Sequence, residues 1–167
     1  MKLELGCGNK PAEGYVHHDR FKHSPFVDIA FDLEVLPWPV GDDSCEEIRA
    51  IDVFEHIPAW VMPIQGWLDE CRRILRPSGL LIMRLPAFDS GLLWCDPTHS
   101  RGFHHHSFNY WCPNAEGTIW QNFGRYYFGE GYNKWWLFVS CERQVNDGGD
   151  LLFTLRKPLS NYEPPRI

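Results

Sequence analysis

Residues Leu3 to Asp19 read LELGCGNKPAEGYVHHD. A short apolar run meets Gly6-Cys7-Gly8, and an acid, Asp19, follows eleven residues after Gly8. A strand that runs into glycines, followed by a strand that ends on a carboxylate, is the plan of a nucleotide-binding crevice. Dinucleotide sites want GxGxxG opening a helix, so that a pyrophosphate rests on the helix N-terminus. Here the third glycine position is Pro11, and no phosphate-binding lysine motif follows. The loop suits a nucleoside ligand without phosphates.

Outward from this stretch, Leu3–Leu5 reads as a first strand, Tyr15–Asp19 as a second and Val27–Leu33 as a third. Pro37 and Pro39 break the regular structure, and Gly41–Ser44 is a turn. Glu46–Asp52 is a fourth strand ending on an acid. The spacing of Trp60, Ile64, Trp67, Leu68, Cys71 and Leu75 predicts a helix over 59–75, closed by Arg76-Pro77-Ser78-Gly79. Leu80–Leu85 is almost continuously apolar and reads as a buried parallel strand. Strands that alternate with loops and a helix indicate an α/β sheet. Trp135–Arg143 and Leu151–Lys157 flank Asn146–Asp150, a strong hairpin signal, so the sheet is expected to end in an antiparallel pair. Between them, 87–134 has no clean period and is too long for a plain loop. It reads as a lid or substrate-binding insertion, with some helix near Ser107–Tyr110. The last residues, Asn161 to Ile167, read as a tail.

The chain has 167 residues, 44% of them hydrophobic, enough for one domain with one core over 1–167. The formal net charge of −6 argues against a protein that holds nucleic acid through phosphate contacts. Arg72, Arg73 and Arg76 are a small basic group better read as a solvated helix end. Cys7, Cys45, Cys71, Cys95, Cys112 and Cys141 include no CxxC pair, which speaks against a zinc ribbon and for reduced thiols in a cytoplasmic protein. The N-terminal apolar run is too short for a signal peptide, and no stretch is long enough to span a membrane.

LELGCGN resembles motif I of the class I S-adenosylmethionine-dependent methyltransferases. Leu36–Ile57, LPWPVGDDSCEEIRAIDVFEHI, and Glu70–Pro86, ECRRILRPSGLLIMRLP, resemble later segments of the same family in the same order. The resemblance covers residues 3 to 86. It implies a Rossmann-like class I methyltransferase sheet, mostly parallel with a C-terminal antiparallel hairpin. It also implies S-adenosyl-L-methionine as cofactor. In this chain Gly6, Cys7 and Gly8 would form the ligand loop, with Glu4 facing the methionine end. Asp19 would bind both ribose hydroxyls, as suits an acceptor-only carboxylate. Asp32 and Leu33 would meet the adenine, and Asp52, Val53 and Phe54 would close over the ligand. The chain departs from the family in having no helix before the first strand. Nine residues separate Leu5 from Tyr15, so the first helix is truncated to a turn or two.

Methyl transfer asks the protein mainly to position the acceptor and exclude water, with a base only where a proton must leave. Histidine is the natural base near neutral pH. His56 follows the fourth strand, next to the expected methyl group. His99 stands in an Asp96-Pro97-Thr98-His99 segment like one the family carries after its fifth strand, and His104, His105 and His106 follow. His56, His99 and His104 are the candidate catalytic residues. His17, His18 and His23 read as ordinary surface residues. Trp94, Phe103, Phe108, Tyr110, Trp111, Trp120, Tyr126, Tyr127 and Phe128 read mostly as the core of the insertion, with some of them facing substrate.

Asp52-x-x-Glu55-His56 also resembles the Glu-x-x-Glu-His motif of metal-dependent methyltransferases, with Asp in place of the first Glu. The reading taken uses no metal. If one binds, Asp52, Glu55 and His56 are the candidate ligands, completed by His99 or the His104–His106 triplet. The expected activity is methyl transfer to an oxygen or nitrogen atom of a small molecule. The alternatives are an RNA or protein methyltransferase, an enzyme that uses the cofactor otherwise, and a non-catalytic cofactor-binding subunit. The exposed first strand edge and the many aromatics allow a homodimer.

Overall fold

The computed structural model describes residues 1–115, 126–127, 132–144 and 149–164. Its strands are β1 (Lys2–Leu5), β2 (Val16–Asp19), β3 (Ile29–Ala30), β4 (Cys45–Ile51), β5 (Leu75–Leu85), β6 (Leu137–Arg143) and β7 (Leu151–Arg156), with helix α1 (Ile64–Ile74) between β4 and β5. They form one seven-stranded sheet in the order β3-β2-β1-β4-β5-β7-β6. The pairs β1–β2, β1–β4, β2–β3 and β4–β5 are parallel, and β7 is antiparallel to both β5 and β6. This is the expected mostly parallel sheet with an antiparallel C-terminal pair. Most of the link between that pair, 145–148, lies outside the described residues. Trp120 and Phe128, like the end of the tail, lie outside them too.

Alternation along the strands decides which face is core. Leu3 pairs with Ile48, Ile48 with Leu81 and Leu81 with Leu155. One pleat further, Leu5, Ala50, Met83 and Phe153 line up in the same way. All eight are buried in a single cluster with Trp67, Leu68, Cys71 and Ile74 of α1. Burying each such Leu, Ile or Met contributes about 1.5–3 kcal/mol. The opposite face is a charged ladder instead. Lys2 is paired with Glu47 and Arg49 with Glu4, while Ile82 and Thr154 stay half-buried. A parallel sheet is normally covered on both faces. Here no helix joins β1 to β2 or β2 to β3, so this part of the sheet gains no helical layer on that side. Leu80–Leu85 is therefore half-buried in alternation rather than buried on both sides, as its composition suggested.

Other boundaries differ from expectation for local reasons. The first helix, expected as a turn or two, is only turns and bends. Helix α1 begins at Ile64 rather than near 59 because Pro63 is its N-cap. A helix started at Ala59 would put that proline inside, without an N–H and against the preceding turn. Trp60 consequently lies outside the helix and is exposed. The turn after α1 is absorbed into the sheet. Cys45 pairs with Leu75 and Glu47 with Leu80, so Arg76–Gly79 bulge out, with Ser78 at a φ of 66°. The third strand shrinks to Ile29–Ala30. Asp32 Oδ1 accepts the Glu34 amide and turns the chain away.

The described part of the 87–134 segment is partly core. Phe103, Phe108, Trp111 and Cys112 join the main cluster, while Trp94 is exposed. The helix expected near 107–110 is a 3-10 turn at Asn109–Trp111. Among the described residues, no helix is long and apolar enough to cross a membrane.

Candidate functional site

β1, β2 and β4 run parallel and end side by side at Leu5, Asp19 and Ile51. The chain leaves β1 to one side for β2 and returns to its other side for β4. That is a topological switch point, where open α/β sheets bind ligands. A cavity of about 240 Å³ lies there. It falls just under the ~300–1,000 Å³ of typical small-molecule pockets, as expected where no first helix builds an outer wall.

Gly6, Asp19, Asp32, Leu33, Asp52 and Val53, all expected at a cofactor site, line the cavity. His56, expected to be catalytic, lines it as well. Gly6 has a φ of 63°, and a Cβ there would stand 2.6 Å from Val53 Cγ2. Only glycine lets β1 pass this close to the loop after β4. Gly6→Ala is expected to lose about 1–2 kcal/mol from the left-handed backbone alone, a fall of ~2–8 °C in Tm. The same change should weaken ligand binding, because Val53 must be displaced towards the cavity. A thermal melt and a binding titration check both, and an unchanged melt would remove the steric argument.

The acids at the cavity differ in what already holds them. Asp32 is paired with Arg20 at 2.7 Å, and Asp52 is gripped by the fork of Arg84. Asp19 accepts only backbone N–H groups among the described residues, Gly8 at 2.9 Å on Oδ2 and Arg20 at 2.7 Å on Oδ1. Each oxygen keeps lone-pair capacity for a further donor.

Glu4, Cys7, Gly8 and Phe54 do not line the cavity. Glu4, expected to face a methionine end, accepts from Arg49 at 3.1 Å and from the Ala12 amide at 2.7 Å on the charged face. A buried carboxylate needs such partners. Cys7 is buried beneath the loop, and Gly8 acts through its amide. Phe54 is wholly buried, stacked on Trp67 at 4.6 Å, with the Arg101 guanidinium 4.4 Å from its ring centre.

Sequence reasoning missed His18, Arg20, Glu34 and Ile57, which also line the cavity. His18 is buried rather than on the surface, and burial lowers its pKa. Its neutral ring donates from Nε2 to the Phe31 carbonyl at 2.9 Å and accepts the Gly6 amide on Nδ1. The signal was period two: Val16 faces the core, so His18 must as well. Arg20 sits just past β2 in a loop and gives no such signal.

The candidate histidines divide. His56 and His99 meet edge to face at 4.7 Å between ring centres. His56 Nδ1 is 2.8 Å from the Thr98 hydroxyl, which itself donates to Asp96 at 2.6 Å. Burial and then His99 lower the His56 pKa, and the Thr98 hydrogen bonds hold the Asp96 carboxyl below its usual range. His104 is not at the cavity; it packs on Phe88 and His105. Glu55 is 1% exposed, and burial pushes its pKa up to about 8. Asp52, paired with Arg84, joins no cluster of metal-ligating atoms among the described residues, whereas Glu55, His56 and His99 form one.

No protein-family model and no curated protein matches the sequence. Solved structures do. An S-adenosylmethionine-dependent methyltransferase from Archaeoglobus fulgidus is 14% identical, with a TM-score of 0.58 over 93% of this chain and 85% of that one. One from Mesorhizobium loti is 10% identical, with a TM-score of 0.54 over 93% and 90%. The [4+2]-cyclase SpnF is 13% identical, with a TM-score of 0.58 over 95% and 75%. The fold is that of the class I S-adenosylmethionine-dependent methyltransferases.

Proposed function

We propose that the chain is an S-adenosylmethionine-dependent methyltransferase that acts on an oxygen or nitrogen atom of a small molecule. The observation that carries this reading is Asp19, a carboxylate held by backbone amides at the switch-point cavity, with spare acceptor capacity for a diol. The cavity residues fit a nucleoside. Asp19 would hold the ribose, Leu33 and Ile57 offer apolar surface to the adenine, and Gly6 keeps β1 clear of side-chain bulk. Asp32 would act through Arg20 and the Glu34 amide rather than as a free acceptor. When bound, S-adenosylmethionine supplies a methyl group on a sulfonium leaving group. The protein's part is to align the acceptor and exclude water, and His56 at the cavity edge is placed to take a proton from it.

A second reading has one observation in its favour. No helix stands between β1 and β2, so the cavity lacks a wall that a partner would supply in a non-catalytic subunit. Calorimetric titration of the isolated chain with S-adenosylhomocysteine separates the two. Saturable one-to-one binding with a Kd at or below the micromolar range is expected, about −8 kcal/mol. No binding by the isolated chain would favour the subunit.

A further inference from the structure

We propose that Glu55, His56 and His99 form a site for one divalent cation of the zinc class. Their ligand atoms lie within 4.8 Å of one another. Donors about 2.0–2.2 Å from a tetrahedral zinc are roughly 3–4 Å apart, so small side-chain rotations close the site.

The strongest sign is Glu55. Its side chain is almost fully buried, and Oε2 has no hydrogen-bond partner among the described residues. A buried carboxylate is normally paired or bound to a metal. Arg101, the cation nearest in sequence to His99, donates through Nη2 to the carbonyls of Ile57 and Met62 and, although its Nε is unpartnered among the described residues, forms no ion pair with Glu55 there.

Both histidines are oriented for ligation. The Thr98 hydroxyl gives its proton to Asp96, so its oxygen must accept from His56 Nδ1–H. His99 Nδ1 is 2.7 Å from the Leu93 carbonyl, which can only accept. Each ring is thereby fixed in the tautomer that leaves a lone pair on Nε2. This is the supporting shell that metal-binding histidines use. His104–His106 make a poorer cluster. They offer no carboxylate, His105 is exposed, and His104 Nδ1 accepts the His106 amide, which puts the proton of the neutral His104 ring on Nε2 and takes away its lone pair there.

Two imidazoles and one carboxylate suit zinc or cobalt(II) better than magnesium, which prefers oxygen donors throughout. Three protein ligands leave a coordination position open, as in catalytic zinc sites. His56 also lines the cavity, so that position faces the region where the proposed methyl acceptor would bind, and with His56 holding the ion the proton would go to solvent held at that position rather than to His56. This last step rests on the methyltransferase reading; cation binding itself does not.

The test uses the full chain, stripped with a chelator and titrated with Co²⁺ by visible absorption, without S-adenosylmethionine. One equivalent with the d–d bands of a four- or five-coordinate site is expected, displaced by Zn²⁺. Thr98→Val, which removes the hydroxyl that supports His56 and donates to Asp96, should weaken binding by ~10–100-fold. Glu55→Gln and His99→Ala should each cost more than that, with circular dichroism showing that they fold. Absence of Co²⁺ bands in the unaltered chain, or unchanged affinity in folded His99→Ala, overturns the proposal. Titration of the same protein with S-adenosylhomocysteine keeps the two readings separate, since either ligand can bind without the other.

Discussion

Asp19→Ala is expected to lower affinity for S-adenosylhomocysteine by about two to four orders of magnitude. The carboxylate is positioned by two backbone amides and carries no basic partner among the described residues. Hydrogen bonds to a charged acceptor contribute ~1.5–3 kcal/mol each, and a ribose diol would make two. At ~1.4 kcal/mol per decade of affinity, their loss gives the stated range. The fold should survive, because Gly8 is half-buried and Arg20 exposed, so water can replace Asp19 at their amides. Asp19→Asn, which keeps one good acceptor, should fall between the two proteins. Calorimetry together with a thermal melt reads both quantities. Full affinity in Asp19→Ala would mean that the end of β2 does not hold a ribose, and the methyltransferase reading would lose its main support.

The sheet was legible because each parallel strand carries its own signal. Leu3–Leu5 stops at a glycine, β2 and the stretch after β4 end on acids, and the C-terminal strands flank a hairpin sequence. What was not legible came from missing helices. Composition alone made Leu80–Leu85 look buried on both faces, yet the charges on its neighbours already said otherwise. Glu47 and Arg49 in β4 and Glu4 in β1 share one face of the pleat, and a covered parallel sheet would not tolerate them there. The site was read in part for the same reason. Residues at strand ends, such as Asp19 and Asp52, were placed by the strands. Glu4 lies off the cavity because its partners, Arg49 and the Ala12 amide, are set by register and loop shape. Arg20 and Asp32 meet across a loop, a pairing that period and propensity do not encode. His56 and His99 are 43 residues apart in sequence, and only the docking of the Asp96–His99 segment joins them.

Glu70→Ala is expected to be strongly destabilising, at about 3–5 kcal/mol, from a buried amide left unpaired and the loss of hydrogen bonds to a charged acceptor. Glu70 is nearly inaccessible on α1. Its Oε1 accepts the Trp38 amide at 2.7 Å and Arg73 Nη2 at 2.6 Å, and Oε2 accepts Arg73 Nε at 3.0 Å. Arg73 in turn donates to the carbonyls of Val40 and Trp38. The contact with Glu70, more than any other, holds the Arg73 pKa above its usual value. Together they fasten the proline-broken 36–41 segment to the helix. The alanine variant leaves the buried Trp38 amide without an acceptor and removes the more buried of the two carboxylates that hold Arg73, leaving it Asp42. For a chain of this size that corresponds to a fall of ~6–20 °C in Tm. Glu70→Gln keeps an acceptor for Trp38 and should recover part of the loss. The effect should reach the cavity as well. Trp38 Nε1 donates to the Leu33 carbonyl at 3.1 Å, and Leu33 lines the site. Well below its lowered melting temperature, Glu70→Ala should therefore bind S-adenosylhomocysteine more weakly than the unaltered chain, whereas a purely global effect on stability would leave that affinity unchanged.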